Sequence, residues 1–193
     1  MSRWEPNARG RLQQAATELF AERGYDHTTV ADIAARAGLT ERTFFRHYAD
    51  KREVLFSGQE QFRDRFVTAV AAAPPAATPV EALAAGLYAA GEMLQSRADL
   101  APHRAAIIDA HPDLQERELI KMARLGTAAA AALRDRGVAE PAATLAAETG
   151  VAVFRIAFAR WLADGVTQPL PEVMKETLGE LAALYAPVPA TYS

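Results

Sequence analysis

An all-α fold follows from three features of this 193-residue sequence. Alanine recurs throughout, aromatic residues make up only 8% against 50% hydrophobic residues overall, and apolar positions return at helical spacing in segment after segment. Small apolar side chains at that spacing favour close-packed helices over sheets. The expected architecture has about nine helices, with an N-terminal three-helix domain carrying a helix-turn-helix, then a C-terminal helical bundle.

The elements follow in chain order. A first helix is expected over about 7–23, where Leu12, Ala15, Ala16, Leu19 and Arg23 share helical spacing and Gly24 supplies the stop. After a loop at 25–28, Thr29 has the character of an N-cap with acidic Asp32 three residues on, close to a capping box. Val30, Ile33, Ala34 and Ala37 then define a second helix over about 30–37. Gly38 suits the left-handed conformation, Leu39 plugs inward, and Thr40 caps a third helix reaching His47 or Tyr48. A longer fourth helix begins near Asp50, its stripe traced by Val54, Leu55, Phe62, Phe66 and Val70. Pro74, Pro75 and Pro79 interrupt helix over 71–79. Five further helical segments are expected over about 80–96, 98–110, 113–136, 141–163 and 171–185, with a frayed tail at 187–193.

The composition removes several classes of function. With no Cys there are no disulfides, thiolate metal sites or cysteine nucleophiles. No Ser-centred motif, His-Glu-x-x-His, paired acidic motif with metal spacing or Gly-rich phosphate loop is present, so the expectation is no enzyme, no metal and no cofactor. Residues 1–10 are charged and contain Pro6, with no signal-like apolar run, and no stretch is read as approaching the roughly 20 apolar residues of a membrane span. The expected location is cytoplasmic. The net charge of −3 is unevenly spread: residues 1–56 hold nine basic and eight acidic residues, and the rest hold twelve and sixteen. That asymmetry alone does not identify a nucleic-acid partner.

The segment about 30–49 carries the functional signal. A helix-turn-helix needs a small residue at the helix crossing, a glycine at the turn and apolar anchors beneath, and Val30, Ile33, Ala34, Gly38, Leu39 and Phe44 supply that set. The second helix of the pair then exposes Thr40, Arg42, Thr43, Phe45, Arg46 and His47, groups able to donate to phosphates and base edges or to press on a thymine methyl. Any helical hairpin in a bundle can show the same apolar spacing, and a protein-interaction module could use it.

The stretch GYDHTTVADIAARAGLTERTFFRHYADKREVL, within about 7–56, closely resembles the DNA-binding domain of the TetR family. The resemblance implies a ligand-responsive repressor that binds a palindromic double-stranded DNA operator as a homodimer. It divides the chain into a DNA-binding domain over 1–56 and a ligand-binding and dimerisation domain over 57–186. DNA contacts fall by that likeness on Thr28 and Thr29, on Thr40, Arg42, Thr43, Phe45, Arg46 and His47, and on Lys51, with Phe44 and Tyr48 as buried anchors. Arg42 stands where the family often has glycine, and Arg46 where an aromatic or other polar residue often sits, so no relative's operator transfers to this chain.

The second half resembles its family more weakly. HPDLQERE, LRDRG and FARWLADG look like the group that includes mycofactocin-type regulators, implying an apolar or acyl-type small-molecule effector. His103, His111, Met122, Phe154, Phe158 and Trp161 are the candidate effector contacts, combining apolar bulk with a few polar tips. On the segment 141–163, Phe154, Phe158 and Trp161 share one face while Leu145, Ala152, Ile156 and Ala163 occupy another, as suits a helix shared between a core and a dimer seam.

Overall fold

A computed structural model describes residues 7–184; the expected tail lies outside the described residues. Among the described residues there are ten helices: α1 (Ala8–Arg23), α2 (Val30–Arg36), α3 (Glu41–His47), α4 (Lys51–Leu55), α5 (Gln59–Ala72), α6 (Pro79–Gln95), α7 (Ala101–Asp109), α8 (Pro112–Asp135), α9 (Ala142–Ala163) and α10 (Leu170–Leu184). The chain divides into two compact units, one of residues 1–59 with 100–117, the other of 60–99 with 118–193.

The tenth helix arises because the expected fourth helix is two. Gly58 has φ 93°, outside helical space, and Phe56 caps α4 by turning into the core of the first unit. The apolar stripe from Val54 to Val70 therefore belongs to two helices, with the turn at Ser57-Gly58 between them.

The first unit is built on a buried cluster from α1 (Leu12, Ala16, Leu19, Phe20), α2 (Ile33), α3 (Phe44) and the α4 region (Val54, Phe56). Ile107 and Ile108 of α7 and Leu114 of α8 belong to the same cluster. The cap chemistry is the one expected: the Thr29 hydroxyl accepts from Asp32 N while the Asp32 carboxylate accepts from Thr29 N at 2.9 Å. At the other end of α2, Gly38 (φ 66°) donates to Ala35 O at 3.0 Å and Leu39 donates to Ala34 O at 2.8 Å. These bonds satisfy the last carbonyls of the helix in a Schellman turn. Thr40 then accepts from Thr43 N and starts α3.

In the second unit α6, α9 and α10 pack on one another, and small residues set how closely. A Cβ on Gly91 of α6 would lie 2.9 Å from Met174 Sδ of α10, and one on Gly86 would lie 2.7 Å from Val70 Cγ2 of α5. The α8 end is tied back by Arg136, which donates to Ala73 O at 2.6 Å and to Pro74 O at 2.7 Å. α9 corrects the reading that no stretch approaches membrane-span character, because by length and composition it is apolar enough to cross one. It serves as a core helix here, with Ala143, Ala147, Val151, Val153, Phe154, Ala157 and Trp161 buried.

Candidate DNA-reading surface and sensing core

The rigidity of the α2–α3 pair comes from below and from the side. Phe44 is fully buried and lies 5.5 Å from the Tyr48 ring, centroid to centroid, which fixes the roll of α3. Arg36 of α2 makes two donations to Glu22 of α1, at 2.7 and 2.9 Å, so a forked ion pair clamps α2 to its support. Arg36 was not among the sequence-read site residues; its signal would have been Glu18 and Glu22 one turn apart on the neighbouring helix.

The candidate contacts are placed unequally. Thr40, Arg42, Phe45 and Arg46 are exposed, and Thr43 and His47 half-buried. Phe45 keeps 55% of its surface exposed and meets the Phe44 ring edge-on. Among the described residues neither Arg42 nor Arg46 has a carboxylate within ion-pair distance. Burial, then the charges of Arg46 and Arg9, hold His47 below its ordinary value.

The remaining candidates are engaged internally. Thr29 is exposed but committed to the capping box. Thr28 is buried, its hydroxyl donating to Gly24 O at 2.9 Å, so its side chain pins the loop before α2. Lys51 donates to Tyr25 O at 2.7 Å and lies 4.1 Å from the centre of the Tyr25 ring. Burial lowers its pKa.

The effector candidates fall in different units. His103 and His111 belong to the first; Met122, Phe154, Phe158 and Trp161 belong to the second. His111 Nδ1 donates to Ile107 O at 2.7 Å, Nε2 lies 3.2 Å from both Asp26 carboxylate oxygens, and the ring meets the Tyr25 ring edge-on at 4.8 Å. These contacts make it a strut between the α7–α8 corner and the loop before α2. In the second unit a run of rings joins α5 to α9, with Phe62–Phe154 at 5.2 Å, Phe154–Phe158 at 5.8 Å and Phe158–Trp161 at 5.6 Å. Trp161 is fully buried and donates to Gln168 O at 2.8 Å, Met122 and Phe154 are buried, and Phe158 is half-buried.

A capped pair of short helices around a glycine turn, with unneutralised arginines on the outer face of its second helix, defines a helix-turn-helix protein. Residues 12–57 match the family described as bacterial regulatory proteins, tetR family. The match covers those residues alone, and over them the chain is similar to regulators of the TetR family.

The HTH-type transcriptional regulator TcmR of Streptomyces glaucescens is 37% identical over 81 residues, 42% of this chain and 36% of TcmR. The chain thus spans about a third of the length of that relative. The fold match is wider. The crystal structure of Thermus thermophilus FadR, a TetR-family repressor in complex with lauroyl-CoA, has a TM-score of 0.60 at 25% identity, covering 96% of this chain and 98% of that one. Bacillus subtilis FadR in complex with stearoyl-CoA has a TM-score of 0.65 at 20% identity, covering 89% and 96%.

Proposed function

We propose that this chain is a homodimeric, ligand-responsive transcription repressor that reads a palindromic operator with α3. The observation that carries the reading is the face of α3, where Arg42 and Arg46 lack carboxylate partners among the described residues and flank an exposed Phe45 on a hairpin braced by Phe44 and Arg36. Guanidinium groups left unneutralised match phosphates and guanine edges, and an exposed ring suits a thymine methyl. Thr40, Thr43 and His47 complete the surface, and Thr28, Thr29 and Lys51 shape and support it. Acting on DNA, the protein works in the cytoplasm.

The dimer is proposed to form through α9 and α10. On α9, Leu145, Ala152, Ile156 and Ala163 are exposed on one stripe, with Leu145 at 65% and Ile156 at 55%, and Leu184 of α10 is exposed as well. The effector is proposed to be apolar or acyl-type and to bind the second unit near Met122, Phe154 and Phe158. The Thermus FadR complex with lauroyl-CoA supports that class.

The test is selection of a random duplex library on the purified protein. A two-fold motif with half-site centres about 10–10.5 bp apart, or a multiple of that, is expected. Failure to enrich any sequence would leave the hairpin as a protein-interaction module. Release of the selected duplex by medium- and long-chain acyl-CoAs, followed by anisotropy, then tests the effector class.

A further inference from the structure

Some arginines of the first unit are paired with carboxylates and others are not. Arg23 pairs with Asp32 at 3.7 Å, Arg36 with Glu22 at 2.7 Å, Arg52 with Asp50 at 2.7 Å, and Arg117 with Glu53. Arg42, Arg46 and Arg9 have no such partner among the described residues. The first two lie on α3, where the proposed function uses them. Arg9 lies on a different helix, in the first turn of α1.

Arg9 breaks a local rule. The N-terminal end of a sixteen-residue helix carries the positive end of the helix dipole, which favours acidic side chains, and α1 has none in its first turn. A cation there is opposed by its own helix. The fold nonetheless fixes it in place: the Arg9 guanidinium carbon lies 5.5 Å from the centre of the Tyr48 ring, and the Tyr48 hydroxyl donates back to the Arg9 carbonyl at 3.2 Å. That hydroxyl also shares a 2.9 Å hydrogen bond with Ser57 Oγ. Tyr48 is the C-cap of α3 and is buried, so the same ring anchors the end of the recognition helix and holds Arg9 beside it. His47, the residue before Tyr48, feels both Arg46 and Arg9. Arg9 thus sits on α1 beside the C-cap of α3, on an element that flanks the reading helix.

We propose that Arg9, positioned by Tyr48, is a sequence-independent clamp on a backbone phosphate of the DNA that α3 reads. The clamp rests on the DNA-reading role proposed above and adds a contact from α1 to it. A flanking helix meets the duplex at its backbone and not at base edges, and a planar guanidinium pairs with phosphate oxygens through two donors.

The experiment measures anisotropy of the full chain on its selected duplex and on a random duplex of equal length, between 50 and 200 mM salt. Arg9→Met keeps the stem that packs on Tyr48 and removes the charge; Arg9→Lys keeps the charge. Each phosphate contact contributes about 0.9 to the slope of log K against log salt, so Arg9→Met is expected to make the slope shallower by about 0.9 per bound copy. Its binding penalty then shrinks by about 3.5-fold per copy over that fourfold range of salt. The loss is expected to be equal on selected and random duplexes, and Arg9→Lys should restore the slope. Tyr48→Phe, which removes the tie to the Arg9 carbonyl, should weaken binding to both duplexes without changing their ratio.

An unchanged salt slope in Arg9→Met, or a loss confined to the selected duplex, would overturn the phosphate clamp while leaving DNA reading by α3 intact. A wild-type chain that selects no sequence and binds no duplex would overturn both. Circular dichroism melting separates a folding defect from a lost contact, because a merely structural Arg9 lowers the melting temperature and leaves the slope alone.

Discussion

Replacing Gly38 by Ala isolates the contribution of one backbone angle to the helix-turn-helix. Gly38 has φ 66°, and a Cβ added to it would meet nothing within 4 Å, so the substitution is strained without being crowded. Placing an L-residue in the left-handed region costs about 1–2 kcal/mol, and loss of glycine's freedom in the unfolded chain returns about 0.4–1 kcal/mol. The net is about 1 kcal/mol of destabilisation, a fall of about 2–4 °C in melting temperature for a chain of this size. Gly38→Asn should recover part of it, since Asn tolerates that region, and Gly38→Val should be worse than Ala. Gly86→Ala is the control for crowding, because its Cβ would lie 2.7 Å from Val70 Cγ2 and 3.1 Å from Phe66 O; it should cost about 1–3 kcal/mol. Asn at position 86 should give no rescue. Thermal unfolding by far-UV circular dichroism reads all five variants. If Gly38→Ala melts with the wild type, or Asn proves worse than Ala, the left-handed turn is not what Gly38 supplies.

Three further outcomes follow from the same geometry. Arg46→Ala should cost about 1–3 kcal/mol on the selected operator and much less on random DNA. Lys51→Met, whose ammonium is spent on Tyr25, should instead lower the melting temperature, and competition binding with paired melts distinguishes the two. His111 has its pKa raised by the Ile107 carbonyl and by Asp26, so its stabilising effect is complete below its unfolded value near 6.5 and fades as pH climbs through the raised folded value. The melting difference between wild type and His111→Gln should therefore be larger at pH 6 than at pH 9, and a constant difference would remove His111 as an ionic strut. Ile156→Glu on the exposed stripe of α9 should yield monomers by sedimentation and weaken operator binding steeply; a dimer that persists would move the interface elsewhere.

The sequence made the head legible where chemistry is local. Thr29 with Asp32, Gly38 with Leu39, and Thr40 with Thr43 are contacts within a few residues, and each forms as the spacing implies. The break at Gly58 was hidden because Phe62, Phe66 and Val70 continue the apolar spacing of Val54, although the Ser57-Gly58 pair is itself a turn signal. Longer-range partners were not legible at all. Nothing near Thr28 in sequence announces that its hydroxyl is buried against Leu19 O, nine positions back, and nothing near His111 announces Asp26, eighty-five positions away. For the effector contacts, periodicity identified the α9 ring face but could not divide His103 and His111 from Phe154, Phe158 and Trp161, because membership of a unit is a property of the fold.

The helix-turn-helix unit is not one stretch of chain. Ile107, Ile108 and Leu114 complete a core whose other members come from the first 59 residues, and Arg104 donates to Leu55 O at 2.8 Å from the same segment. Recombination at a single point therefore cannot move this head intact onto another bundle. A fragment ending near residue 73 leaves that core without three aliphatic side chains, and a chimera joined once after residue 59 inherits its α7–α8 corner from the recipient. Any exchange of reading specificity that keeps the head folded has to carry two inserts, 1–59 and 100–117, or leave the head in place and change only the outward side chains of α3.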